Sequence, residues 1–245
     1  RLNTNENPYG PSKELSAAIA KRIGEVATSL NRYPDRDAIK LREGLSAYLK
    51  KQCDVDLTVE NIWAANGSNE ILQSIFLAFG SKKALGFIPS YSMHPLIGKV
   101  ANVEWIDGHR LEDFSLDVAI AVKQIADEKP ALTFITTPNN PTGSAVTIGD
   151  IEKLAIATAA VNGLLIVDEA YAEFSNQNSA ATLIEKYPNV LVSRTMSKAF
   201  AFAGARLGYL AANKAVVDAL QLVRLPYHLS ALTQAAAEVA LDFQD

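Results

Sequence analysis

The residues best able to do chemistry sit in one stretch, Thr195-Met196-Ser197-Lys198, with Arg206 eight positions further on. The apolar run Val190-Leu191-Val192 leads into it and the small-residue segment from Ala199 to Gly204 follows. A lysine at the end of a buried strand is costly unless its amine is paired or used covalently. A serine just before it and an arginine just after can bind one phosphate together. An amine beside a phosphate site is what a Schiff base of pyridoxal 5′-phosphate (PLP) needs. A helix-start lysine near a surface arginine would use the same residues, so the stretch gains meaning only from its context.

Other residues supply that context. Asp168 ends the apolar run Leu164-Leu165-Ile166-Val167. A carboxylate there is expensive to bury without a cationic partner, and a protonated pyridine nitrogen is a suitable one; a helix N-cap would use the same aspartate. Tyr171, three residues on, is placed to hydrogen-bond a ring oxygen. Asn66-Gly67-Ser68-Asn69 stands between a strand and a helix, where free backbone N–H groups and a glycine suit phosphate, though many ordinary helix starts look alike. Tyr91 follows Leu85-Gly86-Phe87-Ile88 and can stack on a flat ring or pack in the rim. Asn140 lies in Asn-Asn-Pro-Thr-Gly, a turn whose asparagine is free to point into a rim. Tyr33, in Arg32-Tyr33-Pro34-Asp35, reads locally as a turn aromatic packed on Pro34. Glu169 and Glu173 read as outer-layer or solvated residues, and Cys53 as an incidental helix-end residue.

These residues need a scaffold, and the hydrophobic pattern provides one. Apolar runs fall at 62–65, 84–88, 103–106, 131–136, 164–167, 190–193 and 207–211. Helical patterns cover roughly 12–26, 38–50, 69–79, 93–101, 115–127, 149–161, 214–223 and 228–243. Several strand runs are apolar throughout, as strands buried on both faces are. The alternation predicts an α/β fold with a mostly parallel seven-stranded sheet flanked by helices. Ligands of open α/β sheets bind beyond the carboxyl ends of the strands. The polar clusters after five of the runs meet that expectation.

The 245 residues carry 23 basic and 27 acidic side chains, a net charge of −4 that offers no footprint for nucleic acid or an anionic membrane. No apolar run is long enough to span a bilayer. With one cysteine, no internal disulfide can form, which fits a reducing, cytoplasmic compartment. His94, His109 and His228 lack metal-ligand spacing and receive no catalytic role.

Taken together, the clusters resemble the fold-type I PLP aminotransferases, in that family's order, from the Asn-Pro-Tyr-Gly arm to at least Gly208. Leu2 to Pro11, Arg32-Tyr33-Pro34-Asp35, Ser197-Lys198-Ala199-Phe200 and Ala203-Gly204-Ala205-Arg206 are most similar to the histidinol-phosphate aminotransferases. The resemblance implies that Lys198 is the Schiff-base lysine and proton shuttle and that Asp168 pairs with the pyridinium nitrogen. Tyr171 and Asn140 would contact the ring oxygen, and Tyr91 would stack on the ring. Ser68, Asn69, Ser197 and Arg206 would hold the phosphate, with Thr195 close by. Tyr33 would reach the phosphate of a neighbouring subunit in a homodimer, and Tyr9 and Asn7 would border the substrate pocket.

The implied reaction is transamination of L-histidinol phosphate with 2-oxoglutarate in histidine biosynthesis. A threonine-phosphate decarboxylase-like lyase and an aromatic amino-acid aminotransferase are the neighbouring readings, and a non-enzymatic α/β binding protein is the distant one. The expected organisation is an arm and helix over 1–30, a PLP-binding large domain over 31–227, and the start of a truncated C-terminal small domain over 228–245. The family's arginine for the substrate carboxylate lies in that small domain, and the last arginine here is Arg224.

Overall fold

A computed structural model describes residues 4–81 and 83–243. The chain runs α1 (Lys13–Ala27), α2 (Ile39–Cys53), β1 (Ile62–Ala65), α3 (Ser68–Phe79), β2 (Lys83–Ile88), α4 (Met93–Val100), β3 (Glu104–His109), α5 (Val118–Glu128) and β4 (Leu132–Thr136). It continues through α6 (Ile148–Ala160), β5 (Leu164–Asp168), β6 (Val190–Thr195), β7 (Gly208–Ala211), α7 (Lys214–Val223) and α8 (Ala231–Leu241). Each apolar run of the sequence is a strand and each helical pattern a helix, with ends shifted by a few residues.

The seven strands form one sheet in the order β1-β7-β6-β5-β4-β2-β3. The β6-β5-β4-β2-β3 pairs are parallel, whereas β7 runs antiparallel to both β1 and β6. Strand side chains alternate between faces, and this parity divides the core in two. Val167, Val192 and Ile135 face Leu41, Leu45 and Leu49 of α2, with α5, α6 and α8 on the same side. Ile166, Leu191 and Phe134 face Ile71, Leu72 and Ile75 of α3, with α4 and α7 beside them. Each fully buried side chain of this size contributes about 1.5–3 kcal/mol, so helices on both faces hold the central strands rigid.

Caps set the helix starts. Ser12 accepts from the Leu15 N–H at 3.1 Å, Thr147 from Asp150 and Asn213 from Ala215. Helix α8 packs on α1 and α2, and its Ala237, Ala240 and Leu241 join the α2-side core. No helix among the described residues is long and apolar enough to cross a membrane.

Candidate active site

The carboxyl ends of β4, β5 and β6 open on a cavity of about 670 Å³. Ser68, Asn69, Tyr91, Asn140, Asp168, Tyr171, Thr195, Ser197, Lys198 and Arg206 all line it. Residues separated by more than 130 positions in the chain thus meet at one rim, because the strands that carry them are neighbours in the sheet.

Parity explains where the β5 carboxylate points. Asp168 lies two residues beyond Ile166 and shares its face, next to α4. It is 3% exposed. Its Oδ2 lies 3.0 Å from His94 Nε2, and its Oδ1 accepts from the Ala170 N–H at 3.2 Å. His94 is itself buried, with ring centroids of Phe134 at 5.1 Å and Tyr91 at 5.4 Å. A buried carboxylate held in this way favours a cationic group on its open side. The Tyr91 hydroxyl donates to Asn69 Oδ1 at 3.2 Å, which fixes the phenol ring in the cavity wall. Burial, then the nearby Asp168 charge, pushes the Tyr91 pKa up, so its hydroxyl stays protonated.

Lys198 lines the same cavity. Its Nζ donates to the Asn5 carbonyl at 2.5 Å and sits 5.8 Å from the Tyr171 ring centroid. Desolvation lowers its pKa; Glu6 and Asp168 oppose this and Arg206 adds to it. The amine is therefore easier to deprotonate than an ordinary lysine.

At the far end, Ser68 and Asn69 open α3, whose N-terminal N–H groups are a ready anion site. Two glycines make the close packing possible. Gly67 has φ +80°, and a Cβ there would meet Arg206 Nη2 at 2.4 Å; a Cβ on Gly208 would meet the Gly67 and Ser68 backbone at 2.4 Å. The Arg206 guanidinium is thus laid directly over the α3 start. The set fits a flat molecule with a phosphate at the α3 end, a cationic ring nitrogen at Asp168 and a carbonyl carbon at Lys198. Among the described residues no cluster of His, Cys, Asp or Glu could hold a metal ion.

Tyr9 and Tyr33 are both 80% exposed and lie outside the cavity; Tyr33 stacks on Tyr227 at 4.5 Å. Asn7 donates to the Lys198 carbonyl at 3.3 Å, beside the cavity. Sequence reasoning missed the arm residues Thr4, Asn5 and Glu6, which line the cavity, and Asn5 Nδ2 donates to the Tyr171 hydroxyl at 2.9 Å. It also missed His94. Its position on the apolar face of α4, three residues after Tyr91, was the available signal. Glu169 and Glu173 are not solvated: Glu169 Oε2 pairs with Arg194 at 2.7 Å, both residues 3% exposed, and Glu173 Oε1 lies 3.4 Å from the same guanidinium.

Among solved structures, aspartate aminotransferase from Thermus thermophilus with maleate superposes with a TM-score of 0.87 at 22% identity, over 99% of this chain and 65% of that one. The fold is therefore that of the fold-type I aminotransferases. The family model for aminotransferase class I and II matches residues 1–245, and the chain belongs to that family. It is 57% identical to a histidinol-phosphate aminotransferase of Mycolicibacterium smegmatis over 248 aligned residues, covering all of this chain and 65% of that protein's length. It is also similar to the histidinol-phosphate aminotransferase of Sinorhizobium meliloti solved in complex with pyridoxal 5′-phosphate, with a TM-score of 0.82, 25% identity, and coverage of 99% and 64%. The chain thus spans about two thirds of the length of the relatives it matches.

Proposed function

We propose that this chain holds the cofactor in a PLP-dependent aminotransferase that moves the amino group of L-histidinol phosphate to 2-oxoglutarate. The observation that carries this reading is the meeting of Lys198, Asp168 and Arg206 in one cavity. The 57% identity to a histidinol-phosphate aminotransferase supports the choice of substrate. When bound, PLP supplies an aldehyde that reacts with amines and a ring that accepts electrons from the substrate α-carbon.

The residues of the chain do the rest. Ser68, Asn69, Ser197 and Arg206 bind the phosphate, and Thr195 supports Ser197 by accepting its N–H at 3.1 Å. Tyr91 covers the ring face. Asp168 holds a proton on the ring nitrogen, and His94 fixes the carboxylate that does so. Asn140 and Tyr171 hydrogen-bond the ring oxygen. Lys198 Nζ would hold the aldehyde end of the cofactor and, as a free amine, would take and return the substrate α-proton. Its lowered pKa favours the neutral amine that this needs. Asn7 and Tyr9 border the substrate. The exposed Tyr33 serves the cofactor phosphate of a second subunit, so the working form is a homodimer, and the compartment is the cytoplasm.

The test uses the full-length protein loaded with PLP. The visible absorbance of the bound cofactor is expected to change on adding L-histidinol phosphate and to recover with 2-oxoglutarate. Phenylalanine or threonine phosphate is expected to act more weakly. The Lys198→Ala variant is expected to lose the band of the amine-bound cofactor and turnover. Release of carbon dioxide from threonine phosphate, or a band unchanged in Lys198→Ala, would overturn the reading.

A further inference from the structure

Arg110 follows β3 and is 8% exposed, yet among the described residues it forms no ion pair with a carboxylate. Burial alone lowers its pKa, to about 10, so it stays charged at neutral pH. Its Nη1 donates to the Phe114 carbonyl at 3.2 Å and to Ser144 Oγ at 3.4 Å, and its Nη2 donates to the Thr136 carbonyl at 3.3 Å. Its Nε has no partner. A buried charge satisfied only by neutral groups costs more than an aliphatic side chain of the same volume. The groups it gathers show what that cost sustains.

Thr136 ends β4, and its hydroxyl lies 2.9 Å from that of Ser90 in the cavity wall. The next residue, Thr137, donates its N–H to the Asp168 carbonyl at 3.0 Å. Ser144 ends the loop that carries Asn140. A directed chain of hydrogen bonds runs through this loop. Asn139 Nδ2 donates to Thr142 Oγ1 at 2.8 Å, Thr142 Oγ1 lies 2.8 Å from Ser144 Oγ, and Ser144 Oγ donates to the Phe114 carbonyl at 3.0 Å. Asn139 also donates to the Pro89 carbonyl at 2.9 Å, one residue before Ser90 and two before Tyr91. The loop closes on itself through Asn139 N–H to Ser144 O and Gly143 N–H to Asn139 O, both at 2.8 Å. Arg110 therefore sits at the root of a network that ends at two cavity-wall segments, one bearing Asn140 and one bearing Tyr91.

We propose that Arg110 is a positioning residue, a buried guanidinium that pins loop 137–144 and thereby fixes Asn140 in the cavity wall. The part that concerns the cofactor rests on the function proposed above; the part that concerns the loop does not. A lysine replaces it only in part, because one ammonium does not span three acceptors set by a planar fork.

The experiment compares Arg110→Met and Arg110→Lys with wild type in the full-length protein. Without cofactor, amide hydrogen exchange at Asn139 and Gly143 is expected to speed up at least about tenfold in Arg110→Met, with less effect in Arg110→Lys and none in the α3 amides. With cofactor, Asn140→Ala is expected to shift the pH midpoint of the bound-cofactor absorbance. Arg110→Met should shift it in the same direction, and the double variant no further than Asn140→Ala alone. If Arg110→Met does not fold, Ser144→Ala cuts the same chain of bonds and is read the same way. Unchanged loop exchange, an unmoved midpoint in Arg110→Met, or shifts that simply add would overturn the role. If Arg110→Met speeds loop exchange but the wild-type protein takes up no PLP, the cofactor reading fails and the loop role stands.

Discussion

Asp168 and Glu169 are consecutive buried carboxylates, and they face opposite sides of one sheet. Glu169 is saturated: Arg194 Nε and Nη2 donate to its Oε2 at 3.0 and 2.7 Å, the Ser179 hydroxyl donates to the same oxygen, and the Ala180 N–H donates to Oε1. Asp168 has His94 and one backbone N–H, and its remaining side faces the cavity. One carboxylate is committed to the fold. The other keeps capacity for a partner that the fold does not supply. Burial by itself therefore does not mark a functional acid; an incomplete set of partners inside a cavity does.

This contrast can be broken from either side. Arg194→Met should give the largest effect on folding, because it strands the Glu169 charge in the interior. A loss of about 3–5 kcal/mol is expected, read as a lower urea midpoint, with cofactor binding preserved in the folded fraction. Asp168→Asn should do the reverse. Its amide oxygen still accepts, so stability should stay within about 1 kcal/mol, whereas the transamination proposed above, assayed on the full-length protein, should fall about 10²–10³-fold. Equal effects of the two variants on both readouts would erase the distinction.

The smallest effect concerns the amine in the same cavity. Desolvation lowers the Lys198 pKa, whereas the hydrogen bond to Glu128 raises that of the half-buried Lys83. Amine-selective labelling of the cofactor-free protein should therefore reach half-rate at a lower pH for Lys198 than for Lys83. Between the lowered value and the ordinary 10.5, the unfolded chain binds more protons at residue 198 than the folded one. Stability should thus rise slightly with pH through that window, and Lys198→Met should flatten the rise. A rise that persists in Lys198→Met would assign it to another group.

Much of this was legible in the sequence for a local reason. Runs such as Leu164 to Val167 and Val190 to Val192 are apolar on both faces, so they had to be central strands, and the polar residues after them had to fall at one rim. Contacts that depend on strand order were not legible. His94 reaches Asp168 only because β2 lies beside β4 and β4 beside β5. Arg110 reads as one more charge after a short strand until β3, β4 and the loop after β4 are brought together. The Glu169–Arg194 pair spans 25 residues and needed the shared parity of β5 and β6, which a linear pattern does not reveal. The arm lacks any periodicity, so Asn5 gave no sign that it would lie against Lys198 and Tyr171.

The reversed strand β7 has a consequence for how the cavity is supplied. A parallel strand would have begun at the far edge of the sheet, and the chain would have needed a crossover helix to get there. Running backwards, β7 starts at the rim where β6 has just ended, so the link from Met196 to Leu207 never leaves it. Ser197, Lys198 and Arg206 are beads on that single short tether. Its length sets the spacing between the amine and the anion grip, and inserting or deleting one residue there would pull the two out of step.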